Sequence, residues 1–496
     1  MMYAKSPFHT LRRVSALLVS ALTCHTVAAD SGASAIDFSR AEPGEHLPGG
    51  TATSLKRINR DAFSHASANM PFERELDFKV GNGFFKRLWV TAPASTKAAD
   101  GLGPLYNARA CQRCHLKDGR GHPPEANWPE DNAVSMFLRL SIPPQNEQDR
   151  QALASGRVSV IAEPTYGTQL QDFAIPGHAA EGRMHIEYRE IPITLEDGTE
   201  YSLRSPRYSV TDLGYGPLHA QTLLSPRVAP QMIGLGLLEM VPEQAILANA
   251  DPEDANKDGI SGKPNRVWSA AEQRLMLGRF GWKAGAPSID EQNQGAFAGD
   301  MGISVPLHPA GYGECTARQS DCRTAPDGNS PEYANLEADQ DVTDLVLFYA
   351  RHLAVPARRH ADDPHVLRGK KLFHDTGCAA CHTPSFVTGR AEDRPELSGQ
   401  LIWPYTDLLL HDMGEGLADH RPEAAADGRE WRTAPLWGIG LTETVSGHTY
   451  FLHDGRARNL TEAILWHGGE AQASRDRFAA LQRQQREDLL AFVNSL

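Results

Sequence analysis

The chain has 496 residues, enough for two to four cores, and its 33 prolines and 43 glycines beside an apolar fraction of 41% predict long irregular connections between short elements. A formal net charge of −13 argues against nucleic acid as a partner. It favours small proteins with a basic face, because opposite fields speed brief encounters.

Residues 1 to 29 read as an export signal: Lys5, Arg12 and Arg13 precede the apolar run Val14 to Leu22, and Val27-Ala28-Ala29 offers small residues before Asp30. The run is too short to span a membrane, so the mature chain is expected in the periplasm with no integral span. Lipid attachment at Cys24 is disfavoured, since Ala21-Leu22-Thr23 matches the small-residue attachment pattern poorly. Residues 30 to 71 are polar and weakly periodic, an extended arm without a chemical signal.

Apolar positions then recur in FKVGNGFFKRLWV, ahead of the turn-rich DGLGPLYNARACQRCH. This segment ends in Cys111-x-x-Cys114-His115, and GCAACHT repeats the pattern as Cys378, Cys381 and His382. Two thiols at this spacing can each add to one vinyl group of a haem, and the following histidine can turn its imidazole onto the iron. Half a zinc site or a thioredoxin-like redox pair would share Cys-x-x-Cys. Neither compact further ligands nor a strand-to-helix context accompanies it here. Two covalently bound haems c are the expected cofactors.

Between the motifs, RMHIEYREIPITLEDGTEYSLRSPRYSV alternates apolar and polar residues on either side of Glu196-Asp197-Gly198-Thr199, which predicts a β-hairpin inserted in the first haem domain. Glu239 interrupts the apolar SPRVAPQMIGLGLLEM just before a helix expected from Pro242. Buried beside a haem it would be an acid or base; at a helix boundary it would be an ordinary surface acid. In DPEDANKDGISGKPN, Asp254, Asn256 and Asp258 occupy positions 1, 3 and 5 of a loop with Gly259 at 6 and the Ile260 carbonyl at 7. That is the first half of a calcium loop, with Asp251 a further oxygen donor, although Asn265 replaces the glutamate at position 12. A solvated turn would show the same residues. With four cysteines assigned to haem, Cys315 and Cys322 remain as a disulfide pair, which export permits.

A helix is expected over 337 to 355, with Val342, Leu345, Val346 and Tyr349 on one face, and PARRHADDP stops it. VLRGKKLFHDTG leads into the second motif, and DRFAALQRQQREDLLAFVNSL forms a closing helix. The fold class is therefore mainly α with long loops. It holds two cytochrome c-like haem domains, an N-terminal one over 72 to 355 and a C-terminal one over 364 to 496, joined by a linker at 356 to 363. For the distal side of the second iron, Met413 and His467 compete on chemistry alone. For the first, His122, His178, His185 and His219 compete with no ligand at all.

From residue 72 onward the chain resembles the di-haem oxidoreductases and, more distantly, the bacterial di-haem cytochrome c peroxidases. The motifs that carry the likeness are GLGPLYNARACQRCH, SPRVAPQMIGLGLLE, DPEDANKDGISGKPNRV, RFGWKA, GCAACHTP, PYTDLLLHDMG, EWRTAPLWGIG and YFLHDGRARNLTEAILWHGGEA. In the peroxidase relatives the distal ligand of the C-terminal haem follows an aromatic-His-Asp-Gly segment by fourteen residues. Here that spacing runs from His453 to His467, which makes His467 the expected partner of His382. Histidine in place of the usual methionine would lower that haem's potential.

The resemblance also implies calcium between the domains, and a C-terminal haem that passes electrons to an N-terminal haem reacting with peroxide. Glu239, then Glu163 and Glu181, are the acid/base candidates. Trp431, Trp437 and Trp466 are candidates for an aromatic relay, and a small cytochrome or copper protein is the expected electron donor. Oxidation of a thiol, protein or organic substrate, or electron carriage without catalysis, are the alternatives.

Overall fold

Each Cys-x-x-Cys-His motif is framed by a pair of helices that cross at a glycine. The computed structural model describes residues 36 to 496 except Ala133, so the export-signal residues and Cys24 lie outside the described residues. Helix α1 (Glu75–Lys86) carries Glu75 and Asp77 in its first turn, where acids complement the helix dipole, and buries Phe78, Gly81 and Phe85 along one face. The short helix α2 (Cys111–Cys114) holds the first motif. Helices α3 (Ile289–Met301) and α4 (Gln340–Arg351) complete this half. Ser288 and Asp339 cap them by accepting the amides of Glu291 and Val342. At Gly81 an added Cβ would strike the backbone carbonyl of Leu345, so α1 and α4 touch backbone to backbone.

The second half repeats the device. Helix α5 (Pro364–Asp375) begins at Asp363, which caps the amide of His365 ahead of Pro364 at the first helical position. It leads directly into Cys378. Gly369 of α5 meets the backbone carbonyl of Asp488 as closely as Gly81 meets Leu345. Between them comes the short helix α6 (Leu460–Leu465), capped by Asn459. The closing segment is two helices rather than the single one expected. Gln472–Ala480 ends at Leu481, and a capping box between Gln482 and Gln485 starts α7 (Arg483–Ser495). The extended backbone of Leu481 and Gln482 turns α7 so that Leu489, Phe492 and Val493 are buried.

Among the described residues the sheets are two-stranded and antiparallel. Strand β1 (Met136–Ser141) pairs with β4 (Leu223–Val228). Between them in sequence, β2 (Arg183–Thr194) and β3 (Glu200–Thr211) form the expected hairpin, in a register that runs from Arg183 opposite Thr211 to Thr194 opposite Glu200. The hairpin leans on the C-terminal half: Tyr208 donates to Asp454 Oδ2 at 2.9 Å, Arg458 forks onto Glu190, and Arg486 pairs with Asp197 at 2.6 Å. Strands β5 (Leu410–Asp412) and β6 (Glu430–Arg432) place His411 opposite Trp431.

Phe38 to Leu496 pack as one compact unit. The segment expected to link two haem domains is itself packed, with Pro356 bridging to Ser54 and Arg358 buried. Cys315 and Cys322 are joined in a disulfide, their Cα atoms 6.1 Å apart. No helix among the described residues is long and apolar enough to cross a membrane.

Candidate di-haem site

Both motifs open onto one continuous cavity of about 900 Å³, lined by Cys111, Cys114 and His115 at one end and by Cys378, Cys381, His382 and His467 at the other. The four cysteines are unbridged. Burial pushes the Cys111 thiol up to about 12 and raises those of Cys114, Cys378 and Cys381. This is the reverse of the lowered thiol pKa that marks activated redox cysteines.

The histidines share one orientation. His115 Nδ1 lies 2.8 Å from the Pro230 carbonyl, His382 Nδ1 lies 2.9 Å from that of Tyr405, and His467 Nδ1 lies 2.7 Å from that of Ala463. A carbonyl can only accept, so each Nδ1 carries the proton and each Nε2 is left as a lone pair. That is the tautomer a metal-ligating imidazole needs. Burial pushes His115 and His382 down to about 4 and also lowers His467. His467 acts on His382 in the same sense, because the two imidazoles are neighbours.

The cavity is mostly apolar, with Phe85, Met232, Phe297, Leu460 and Val493 in its wall, while Arg120, Arg139, Arg279 and Arg432 supply positive charge and Arg227 and Arg421 are paired with Glu423. Apolar slots, free thiols, prepared imidazoles and cations for carboxylate tails together fit two haems.

A model of the family described as "di-haem oxidoreductase, putative peroxidase" matches residues 45 to 496. The chain belongs to the di-haem oxidoreductase family. Its cofactors are haems and its chemistry is of the general oxidoreductase kind. No curated protein matches the chain. A solved structure of Kuenenia stuttgartiensis hydrazine synthase, pressurised with 20 bar xenon, is similar over 38% of this chain and 65% of that one, at 19% identity and a TM-score of 0.22. At that score the likeness carries no argument. The chain spans less than two thirds of that protein.

The remaining expected residues of this oxidoreductase fall in several places. Met413 lines the cavity beside His467. His411, a conceivable alternative ligand, also lines it, but its Nδ1 and Nε2 are each 2.7 Å from a carboxylate, Glu470 and Asp407. Burial opposes charge on this ring, yet the two acids hold its pKa well above the ordinary value, so neither nitrogen is free for a metal.

The three expected acids are absent from the cavity wall. Glu239 pairs with Arg351 at 2.7 Å and Arg394 at 3.0 Å and accepts the Ile289 amide. Glu163 accepts the amides of Thr165, Tyr166 and His219, and Glu181 accepts from Gln171 and Gln319. The corrected reading is structural: their lone pairs are spent holding backbone and side chains together. The acids that do line the cavity include Glu291, Asp300 and Glu314, and the Asp300 carbonyl accepts the amides of Asn107 and Ala108 just before the first motif.

His122, His178, His185 and His219 are likewise absent from the wall, whereas His308 is in it. Sequence reasoning missed His308. It stands in the loop SVPLHPAGYGE, which has no periodicity and no ligand spacing to mark it. Trp431 and Trp437 line the cavity, Trp466 does not, and Trp282 joins them unexpectedly. Trp431 stacks on His453, with centroids 3.7 Å apart and planes 13° from parallel.

The 254 to 260 loop folds on its own amides: Asp254 Oδ1 accepts Gly259 N, Asn256 Oδ1 accepts Asp258 N, and Asp258 Oδ1 accepts Ile260 N. Among the described residues, no three His, Cys, Asp or Glu side chains gather to hold a metal ion.

Proposed function

We propose that this protein is an exported c-type di-haem oxidoreductase of the peroxidase kind, with one haem bound through Cys111 and Cys114 and the other through Cys378 and Cys381. The observation that carries this reading is the single cavity reached by both motifs, with His115 and His382 prepared in the same way at its two ends. Bound there, the haems would supply electrons and an open iron coordination position for peroxide.

The chain's own residues divide the work. His382 and His467 both line this end of the cavity with Nδ1 held on a backbone carbonyl, so their Nε2 atoms could take the two sides of the C-terminal haem and suit it to electron transfer. At the other end, His115 and its contacts Phe85 and Pro230 form one wall. Ala296, Gly299, His308 and Glu314 also line the cavity, on or after α3, whose Asp300 carbonyl accepts the amides of Asn107 and Ala108 just before the first motif; small residues there would leave room for an oxidant. Glu314 is oriented by Thr168, whose hydroxyl donates to Oε1 at 2.7 Å and whose amide donates to Oε2 at 3.0 Å. Glu314 and His308 are the groups that would move a proton to the departing oxygen, in place of Glu239.

The His453–Trp431 stack lies between the two ends. Val228, two residues before His115's acceptor Pro230, donates its amide to the His453 carbonyl at 2.8 Å, and Trp431 pairs across the sheet with His411. It is the aromatic path this reading assigns to electrons. A small electron-donor cytochrome or copper protein with a basic face is the partner that suits an acidic chain. Calcium would sit at Asp254, Asn256, Asp258 and the Ile260 carbonyl.

The test is peroxide consumption by the half-reduced, fully haem-loaded protein. Turnover that falls by about 10²- to 10⁴-fold in Glu314→Gln supports the reading and the role of Glu314. No consumption in any redox state overturns the peroxidase assignment. Low-spin bis-imidazole electron paramagnetic resonance from both haems would favour electron carriage instead.

A further inference from the structure

The arm expected to carry no chemical signal reaches the proximal side of the C-terminal haem site. Glu45 is fully buried, and one of its oxygens, Oε1, accepts the hydroxyl of Tyr405 at 2.8 Å. Tyr405 is the residue whose backbone carbonyl receives His382 Nδ1–H. Its φ of 54° lies in the left-handed region, which an aromatic residue occupies only when its surroundings impose it.

Two sets of contacts impose it. On one side, Tyr405 N and Thr406 N donate to Pro384 and Thr383, just past the motif. On the other, Glu45 grips the phenol, while Glu45 itself is held by Arg358 and by Lys370 Nζ at 2.8 Å. Lys370 belongs to α5, the helix that enters the motif, and it also reaches Glu42 at 2.5 Å. Trp403 N donates to Pro48 O at 2.8 Å, a second tie between the arm and this loop.

We propose that Glu45 is a positioning residue for the C-terminal haem: through the Tyr405 side chain it fixes the carbonyl that orients and polarises His382. The inference rests on the reading of His382 as an iron ligand. A well-held Nδ1–H···O=C bond makes the imidazole a stronger donor and stabilises ferric iron. Loosening the carbonyl therefore raises the potential of this haem and leaves the other unchanged.

The experiment compares wild type with Tyr405→Phe, Glu45→Gln and the double variant by optically monitored redox titration, with haem content counted in each. Tyr405→Phe keeps the ring and the carbonyl and removes only the hydroxyl, so it carries the test even where Glu45→Gln fails to fold because Arg358 and Lys370 lose the Glu45 charge. The expected result is two haems per chain, an upward shift of the C-terminal midpoint in each single variant, and no further shift in the double. An unshifted C-terminal midpoint in Tyr405→Phe with both haems present overturns the proposal, as do equal shifts of both haems. A C-terminal haem whose low-spin ferric spectrum is unchanged in His382→Ala overturns instead the ligand reading beneath it.

Discussion

On the proposed ligation, a single imidazole decides what the C-terminal haem can do. His467 in the sixth position would make that centre six-coordinate and low-spin. His467→Gly should open the position and turn the ferric spectrum high-spin, while His467→Met should keep it low-spin and raise its potential; near-infrared magnetic circular dichroism separates the two. A bis-histidine band surviving in His467→Gly would remove the assignment.

Glu181 supplies a residue-scale prediction of another kind. Burial pushes its carboxyl up to about 8 from an ordinary 4.5, so the folded state keeps a proton that the unfolded chain has lost. The sign follows from linkage: between pH 4.5 and 8 the unfolded state binds fewer protons, and stability falls as pH rises. Glu181→Gln should flatten part of this decline in denaturant midpoints measured at pH 5 and 8. An unchanged slope would place the ionisable group elsewhere.

Helix α1 carries two glycines that should respond oppositely to the same substitution. Gly81 lies against the Leu345 backbone, so Gly81→Ala forces α1 off α4 and should cost about 1–3 kcal/mol by overpacking. Gly83 has nothing within 4 Å of an added Cβ, so Gly83→Ala should stabilise by about 0.5–1 kcal/mol through helix propensity alone. Urea unfolding of the two variants checks both signs together. The 254 to 260 loop makes a second element-scale case. Its turn bonds already fold positions 1 to 6, which lowers the cost of ordering oxygens around calcium, so chelation should lower the melting temperature in the wild type and not in Asp254→Ala/Asp258→Ala. Equal melting with and without chelator in the wild type would remove calcium from this loop.

For the molecule as a whole, the two ends of one cavity should load independently because each has its own thiols and imidazole. Cys378→Ala/Cys381→Ala should retain one covalent haem after acid–acetone extraction, while the wild type retains two. The hairpin β2–β3 ties the halves through Arg458, Arg486 and Tyr208, which are bound to Glu190, Asp197 and Asp454. The halves are expected to unfold together, as a single packed unit would.

Short-range chemistry was legible in the amino-acid sequence because its spacing is covalent. Cys-x-x-Cys-His puts thiols and imidazole on one turn, Glu196 to Thr199 forms the turn of the hairpin, and Cys315 and Cys322 close a loop of their own. That His467 would stand in the cavity wall was reachable as well, through the family spacing from His453. What a cavity wall contains is a different kind of fact. His308 and Glu314 arrive on an irregular loop, and the half-buried Glu239 spends its charge on Arg351 and Arg394, contributed from more than a hundred residues away. Glu45 meets Tyr405 across 360 residues of chain, and no local pattern records such a partner. Periodicity and spacing reach only a few turns along the backbone. Which buried group faces the cavity, and which is neutralised on the way, is settled when distant segments compete for the same hydrogen bonds and ion pairs in the packed chain.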